Sequence, residues 1–218
     1  MRKFNLFLKR AFDIIVSLIL IVMLTVIPVL IVVPIVIKLT SKGPVMYNAT
    51  RIGKGQKPFK MFKFRTMITE RYDADGNEIM SEDRITKIGR ILRKTSLDEL
   101  PQLFNILFGS MSIVGPRPML DYQAPRCEGD EVLRFEMRPG MAGLAQAKGR
   151  NNISWTERIQ YDIEYYKTFS FWLDIKIMFK TALMVFKHTG TEVKPEYRGV
   201  DRFSKHYVPP VQEDAAEE

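Results

Sequence analysis

Asp98 and Glu99 are adjacent in the run Leu97-Asp98-Glu99-Leu100-Pro101-Gln102, and they are the one acidic pair between positions 88 and 118. Arg90, Arg93, Lys94 and Arg117 share that stretch. Nearby cations favour the ionised form of a carboxylate. An ionised, positioned Asp can attack phosphorus or carbon, and a second carboxylate can hold a hard divalent cation. The same two residues also suit a plain structural role, as first-turn acids of a helix that begins after Thr95-Ser96. Local sequence leaves both readings open.

The elements around the pair sharpen the question. Leu97, Leu100, Leu103, Phe104 and Leu107 fall on one face of a helix over 96–108. Pro101 is tolerated only near the start of that helix. This places Asp98 and Glu99 in the first turn, beside free backbone N–H groups that also welcome a phosphate. A short basic helix is expected over 84–93.

Upstream, 45–51 and 58–65 alternate apolar and polar residues around Gly53-Lys54-Gly55-Gln56-Lys57, which reads as a β-hairpin. In its second arm Phe59, Met61, Phe62 and Phe64 interleave with Lys60, Lys63 and Arg65. That pattern serves nucleic acid, a lipid headgroup surface or a phosphate alike. Asp73-Ala74-Asp75-Gly76-Asn77 lacks the later glutamate of a calcium loop and reads as a solvated surface loop. Downstream, 109–118 forms a stiff loop in which Gly115-Pro116-Arg117-Pro118 fixes one arginine for bidentate phosphate binding. A second Gly-rich loop begins at Arg138-Pro139-Gly140 and leads to Lys148-Gly149-Arg150-Asn151.

Two more helices are expected near the C-terminus. One starts at Ser154 with Glu157 completing a capping box. The other covers 171–187, with Phe171, Trp172, Ile175, Met178, Phe179, Ala182, Leu183 and Phe186 on its apolar face and Lys176, Lys180 and Lys187 on a stripe. It suits a helix lying in a membrane interface and a core helix with a solvated lysine face equally.

The run 14–37 carries no charge. It is long enough to cross a bilayer as a straight helix. Pro28 and Pro34 interrupt it, so the Leu24 and Leu30 carbonyls lose their intrahelical donors and a bend is expected. Arg2, Lys3, Lys9 and Arg10 precede the run; Lys38, Lys42, Arg51, Lys54 and Lys57 follow it. With both flanks basic, the positive-inside bias selects no orientation. A re-entrant bend satisfies both flanks, and a plain span is equally compatible.

Composition bounds the partners. The 218 residues carry a formal charge of +8 and a pI near 9.5, which points to an anionic partner: nucleic acid, anionic lipid or a phosphorylated substrate. Cys127 is the single cysteine, so no internal disulfide forms. His188 and His206 stand far from any Cys pair, which disfavours zinc, and no G-x-S-x-G elbow is present.

Taken in order, the motifs are Lys9-Arg10-x-Phe12-Asp13, Lys63-Phe64-Arg65-Thr66-Met67, Ser96-Leu97-Asp98-Glu99-Leu100-Pro101-Gln102-Leu103-x-Asn105, Ser112-Ile113-Val114-Gly115-Pro116-Arg117-Pro118, Arg138-Pro139-Gly140, Gly149-Arg150 and Asp162-x-x-Tyr165-Tyr166. With them the chain resembles the bacterial polyprenyl-phosphate sugar-1-phosphate transferases, the small monotopic phosphoglycosyl transferases.

The resemblance implies transfer of a sugar 1-phosphate from a UDP-sugar to undecaprenyl phosphate, with UMP released, as the first membrane step of a bacterial glycoconjugate pathway. It implies that Asp98 is the nucleophile, through a covalent phosphosugar intermediate, and that Glu99 helps hold Mg²⁺. Lys63, Arg65, Arg93, Arg117, Arg138 and Arg150 are the expected phosphate-binding residues. The membrane segment is expected to be re-entrant, with its break at Ile27-Pro28 where the family usually has Ser-Pro. The implied fold is α+β and mostly helical: a re-entrant helix-break-helix anchor over 1–40, a catalytic domain over 41–190 with a small β-hairpin and interfacial amphipathic helices, and a polar tail over 191–218. The implied location is the bacterial inner membrane, monotopic, with the catalytic domain facing the cytoplasm. Membrane lipids are partners, nucleic acid is not expected, and a homo-oligomer is compatible. The competing readings are a membrane-tethered nucleic-acid-binding module and a non-catalytic membrane scaffold.

Overall fold

Pro28 has no N–H to give the Leu24 carbonyl, and the apolar run breaks there. In the computed structural model, which describes residues 2–70, 72, 75–80, 82–149, 153–186 and 202–203, α1 (Arg2–Val26) and α2 (Val29–Thr40) meet at Ile27-Pro28 with a bend of 61°. Helix α2 continues through Pro34. No single helix among the described residues is long and apolar enough to cross a membrane; the bent pair together meets that requirement. Ile19, Val26, Ile27, Ile35 and Leu39 are all exposed on it. Such a continuous apolar surface is rare on a protein face that meets water.

The inner face of α1 is bound to the rest of the chain. Ile21 and Leu24 pack with Ala49, Met61, Leu103, Ile106 and Met111. Near its start, Lys9 and Asp13 are buried one helical turn apart. Lys9 Nζ donates to the Val114 carbonyl at 2.6 Å and to Asp174 at 2.7 Å. Asp13 accepts from the Ser112 hydroxyl at 2.7 Å and the Ile113 N–H at 3.0 Å. Each buried charge is therefore paired or hydrogen-bonded, which is what its desolvation requires.

The hairpin forms as its alternation predicts. Strands β1 (Met46–Ile52) and β2 (Pro58–Phe64) pair antiparallel, with Tyr47 opposite Lys63 and Arg51 opposite Phe59. Helix α3 (Lys87–Thr95) is capped by the Thr86 side chain, which accepts from the Gly89 N–H at 2.9 Å.

The expected helix over 96–108 does not form as one piece. Ser96 takes a left-handed conformation (φ 59°) that ends α3, Leu97–Glu99 make a single 3₁₀ turn, and α4 runs only over Gln102–Phe108. Pro101, at the N-cap, has no N–H to extend a helix behind it. Asp98 and Glu99 thus stand on a turn between two helices.

The two stiff loops also hold more order than expected. β3 (Ser112–Val114) and β4 (Gly140–Ala142) pair in parallel. Gly115 and Gly140 pack so closely that a Cβ on either would lie within 2.3 Å of the other segment's backbone. Helices α5 (Leu144–Gly149), α6 (Trp155–Thr168) and α7 (Phe171–Phe186) complete the domain. At α6 the Ser154–Glu157 capping box is present in both directions.

The apolar face expected on α7 divides. Of its residues Trp172 (73% exposed), Phe179 and Leu183 turn outward and Phe171, Ile175 and Met178 are half-buried, while Asp174 and Ile177, which are buried, lie off the expected face. Met119, Ala124, Phe135, Ile159, Ile163 and Phe203 form one core cluster; Val114, Met137, Leu144, Tyr165 and Ile177 belong to another.

Candidate active site

Asp98 is 8% exposed, held on the 3₁₀ turn with α3 behind it and α4 ahead. Lys63, from the base of β2, reaches Glu99 Oε1 at 2.5 Å and contributes positive potential at Asp98. Arg93, in the last turn of α3, is also close enough to favour the ionised Asp98, and its Nε donates to Thr66 Oγ1 at 2.9 Å. Burial outweighs these cations: the Asp98 carboxyl is pushed above the usual Asp range by desolvation, with Lys63 pulling it down, Glu99 pushing it up and Arg93 pulling it down. The neighbouring cations therefore do not hold Asp98 as low as local sequence suggests. A desolvated carboxylate that is ionised is a stronger nucleophile than one fully solvated by water, since it has less hydration to lose on attack.

The structure brings together Asp98, Glu99, Lys63 and Arg93. The other candidates lie elsewhere. Arg65 turns towards the end of α2, where its guanidinium donates to the Ser41 carbonyl at 2.9 Å, the Ser41 hydroxyl at 2.7 Å and the Lys42 carbonyl. It ties the hairpin to the anchor. Arg138 donates through Nε to the Gly109 carbonyl at 2.9 Å, beside Arg10, which donates to the Ile106 and Leu107 carbonyls at 2.7 and 2.8 Å. Both cations serve the carbonyl end of α4, opposite the end that follows the dyad. Arg150 lies outside the described residues, as do Asn151, Asp73, Ala74, Lys187, both histidines and all of 191–218 except Arg202 and Phe203.

Arg117 marks a second basic patch. It is exposed at a cleft lined by Ile52, Pro116, Arg134, Phe135 and Pro139, at the turn end of the hairpin. Arg51 is close enough for its pKa to be lowered, first by burial and then by Arg117. Arg134, which sequence reasoning missed, is the frame of this patch. It is buried, paired with Asp162 at 2.6 Å, and its Nη2 donates to the Arg117 carbonyl at 2.8 Å. Arg51 Nε and Arg134 Nη1 are buried without a hydrogen-bond partner in the structure. Tyr47, opposite Lys63, and Arg51 are four residues apart on β1, with about 13 Å of strand between their backbones.

No group of three or more His, Cys, Asp or Glu that could hold a metal occurs among the described residues. Mg²⁺ is commonly held by one or two carboxylates together with substrate phosphates, and the Asp98–Glu99 pair fits that donor set. The basic-aromatic arm of the hairpin is not an open stacking platform: Phe64 and Met61 are core residues and Lys63 is engaged by Glu99.

Comparison with known proteins assigns the matched region. The profile of the bacterial sugar transferase family matches residues 4–188. The chain is 41% identical over 185 residues to the sugar transferase EpsL of Bacillus subtilis, covering 85% of this chain and 90% of that one. It is 42% identical over 191 residues to the UDP-glucose:undecaprenyl-phosphate glucose-1-phosphate transferase of Klebsiella pneumoniae. It is 37% identical over 202 residues to the undecaprenyl-phosphate galactose phosphotransferase of Salmonella typhimurium. Each of these two matches covers 84% of this chain but 41% of the relative.

Proposed function

We propose, from the premise that this chain belongs to the bacterial sugar transferase family, that it moves a sugar 1-phosphate from a UDP-sugar to undecaprenyl phosphate through Asp98. The observation that carries this is the buried Asp98 carboxyl flanked by Glu99, Lys63 and Arg93 on a turn beside a lipid-compatible anchor.

In the first step an Asp98 oxygen attacks the phosphorus that bears the sugar. The bond from that phosphorus to the bridging oxygen breaks, and UMP leaves with the electron pair. In the second step an oxygen of undecaprenyl phosphate attacks the same phosphorus, and the Asp98 carboxylate departs. The covalent intermediate divides the reaction and gives ping-pong kinetics. Lys63 and Arg93 neutralise the transferring phosphoryl group, and Arg117 with Arg51 offers a second cationic patch to the doubly phosphorylated donor. Glu99 would help hold Mg²⁺, which would supply charge neutralisation on the phosphate oxygens.

The bent pair supports a re-entrant anchor, because its outward face is apolar while Lys9, Arg10 and Asp13 fix its base to the domain. Trp172, Phe179 and Leu183 on α7 suit the same interface. On this reading the protein is monotopic in the bacterial inner membrane with its site on the cytoplasmic face. Cysteines introduced by Lys3→Cys and Lys42→Cys should both label from the cytoplasmic side; labelling from opposite sides establishes a span instead.

The activity test uses purified protein with Mg²⁺, undecaprenyl phosphate and a panel of UDP-sugars that begins with UDP-glucose and UDP-galactose. UMP release with at least one donor is expected. Absence of UMP across a full panel contradicts the proposal.

A further inference from the structure

Phe203 lies beyond the family-matched region 4–188, yet it is 0% exposed. It shares an apolar cluster with Met119, Ala124, Phe135, Ile159 and Ile163. Its backbone is held too. Gln123 Nε2, itself buried, donates to the Phe203 carbonyl at 3.1 Å, and Arg126 Nη1 donates to the Arg202 carbonyl at 2.8 Å. The Arg202 guanidinium pairs with Glu131 and, at 3.7 Å, with Glu128. A residue held by its ring, its carbonyl and its neighbour's charge is part of the domain.

The socket stands behind the second basic patch. Met119 follows the Gly115-Pro116-Arg117-Pro118 loop directly, and its carbonyl accepts the Ile52 N–H at 2.9 Å. Phe135 follows Arg134, whose guanidinium holds the Arg117 carbonyl at 2.8 Å. Ile52, next to Arg51, packs on the same cluster. The phenyl ring thus occupies the cluster that backs all three segments presenting Arg51, Arg117 and Arg134.

We propose that Phe203 is a positioning residue for this arginine patch: Arg202 and Phe203 dock onto the catalytic domain and fix Arg117 and Arg51 where the donor's phosphates meet them. A smaller side chain leaves space into which Met119 and Phe135 relax, and Arg117 moves with them. The inference rests on the reading of Arg117 as a donor-binding residue.

The test uses the full chain with Phe203→Ala, Phe203→Leu and Arg202→Ala. Hydrogen exchange reports the docking whether or not the protein turns over. Exchange at the Ile52 amide should speed up by about tenfold in Phe203→Ala, and Phe203→Leu should stay near wild type. In the transferase assay the donor KM should rise about tenfold for Phe203→Ala with kcat within about twofold, because binding geometry is lost rather than chemistry. Phe203→Leu should recover KM. In an Arg117→Ala background Phe203→Ala should add little, since both changes remove the same contact.

A folded Phe203→Ala with wild-type exchange at Ile52 and wild-type donor KM overturns the proposal. So does a Phe203→Ala effect that is fully additive with Arg117→Ala. If Phe203→Ala does not fold, Arg202→Ala removes only the rim pairs with Glu128 and Glu131. It should then show the same two shifts in smaller measure, and wild-type values overturn the proposal. If the wild type releases no UMP, the transferase reading fails, and exchange at Ile52 alone decides the docking.

Discussion

Two clusters of mixed charge lie on either side of α4 and are built to opposite ends. In one, Lys9, Asp174 and Asp13 are sealed between α1, β3 and α7, and every charge has its partner inside the protein. Tyr165 completes it, donating its hydroxyl to Asp174 at 2.7 Å. In the other, Asp98 is buried, Glu99 and Lys63 are half-buried, and Arg93 is exposed. The sealed cluster has nothing left to offer a ligand. The open one combines a desolvated carboxylate with cations that an incoming phosphate can share. Burial with full satisfaction makes a fastening; burial with charge in reserve makes a site.

The strongest way to break that contrast is to remove one charge from each cluster. Asp98→Asn should lower UMP release by about 10³-fold or more while the protein stays folded. Lys9→Met should do the reverse. It strands Asp174 in the interior and should destabilise the fold by about 3–5 kcal/mol, read as a lower denaturant midpoint, while protein that remains folded turns over. If Lys9→Met unfolds no more easily than wild type, the sealed cluster is not a fastening.

The pH dependence separates the clusters further. Asp98 must be ionised to attack, and burial raises its pKa. Activity should therefore fall, as pH is lowered, at a higher pH than an ordinary aspartate would give. Stability runs the other way for this group. A carboxyl whose folded pKa is raised contributes stability that is fully present below its unfolded pKa and lost as pH rises through the folded one. Asp98→Asn removes that cost and should raise the unfolding midpoint at neutral pH. An unchanged or lower midpoint argues that Asp98 is stabilised as an anion in the empty site.

The smallest effect belongs to Arg138. Its guanidinium serves the carbonyl end of α4 beside Arg10, so Arg138→Ala should cost about 0.3–1 kcal/mol of stability and leave the donor KM near wild type. A large rise in KM would move Arg138 from the fastening to the site, in line with its expected role as a phosphate ligand.

Local chemistry made parts of this molecule readable from sequence. Pro28 marks the break because a missing N–H acts within one turn. Ser154 and Glu157 mark a helix start because a capping box spans three residues. The hairpin follows from alternation around a Gly-rich turn. The Asp98-Glu99 pair is visible for its isolation among cations. What sequence could not show is set by distance along the chain. Lys9 and Asp174 lie 165 positions apart, and nothing in either neighbourhood names the other. Arg134 and Asp162 belong to different segments and look like ordinary surface charges until folded. The pairing of β3 with β4 joins two stretches that each read as a loop, because three residues carry no alternation to detect. The single helix expected over 96–108 failed at Ser96, whose left-handed backbone is a tertiary outcome that serine's usual capping preference hides.

The most direct measurement is intact-protein mass spectrometry after mixing the enzyme with Mg²⁺ and UDP-sugar alone, with no lipid acceptor. The account predicts an added mass of one sugar phosphate, mapped by digestion to Asp98, absent in Asp98→Asn and lost on addition of undecaprenyl phosphate. Turnover to lipid product with no such adduct under any trapping condition, or an adduct that persists in Asp98→Asn, would contradict it.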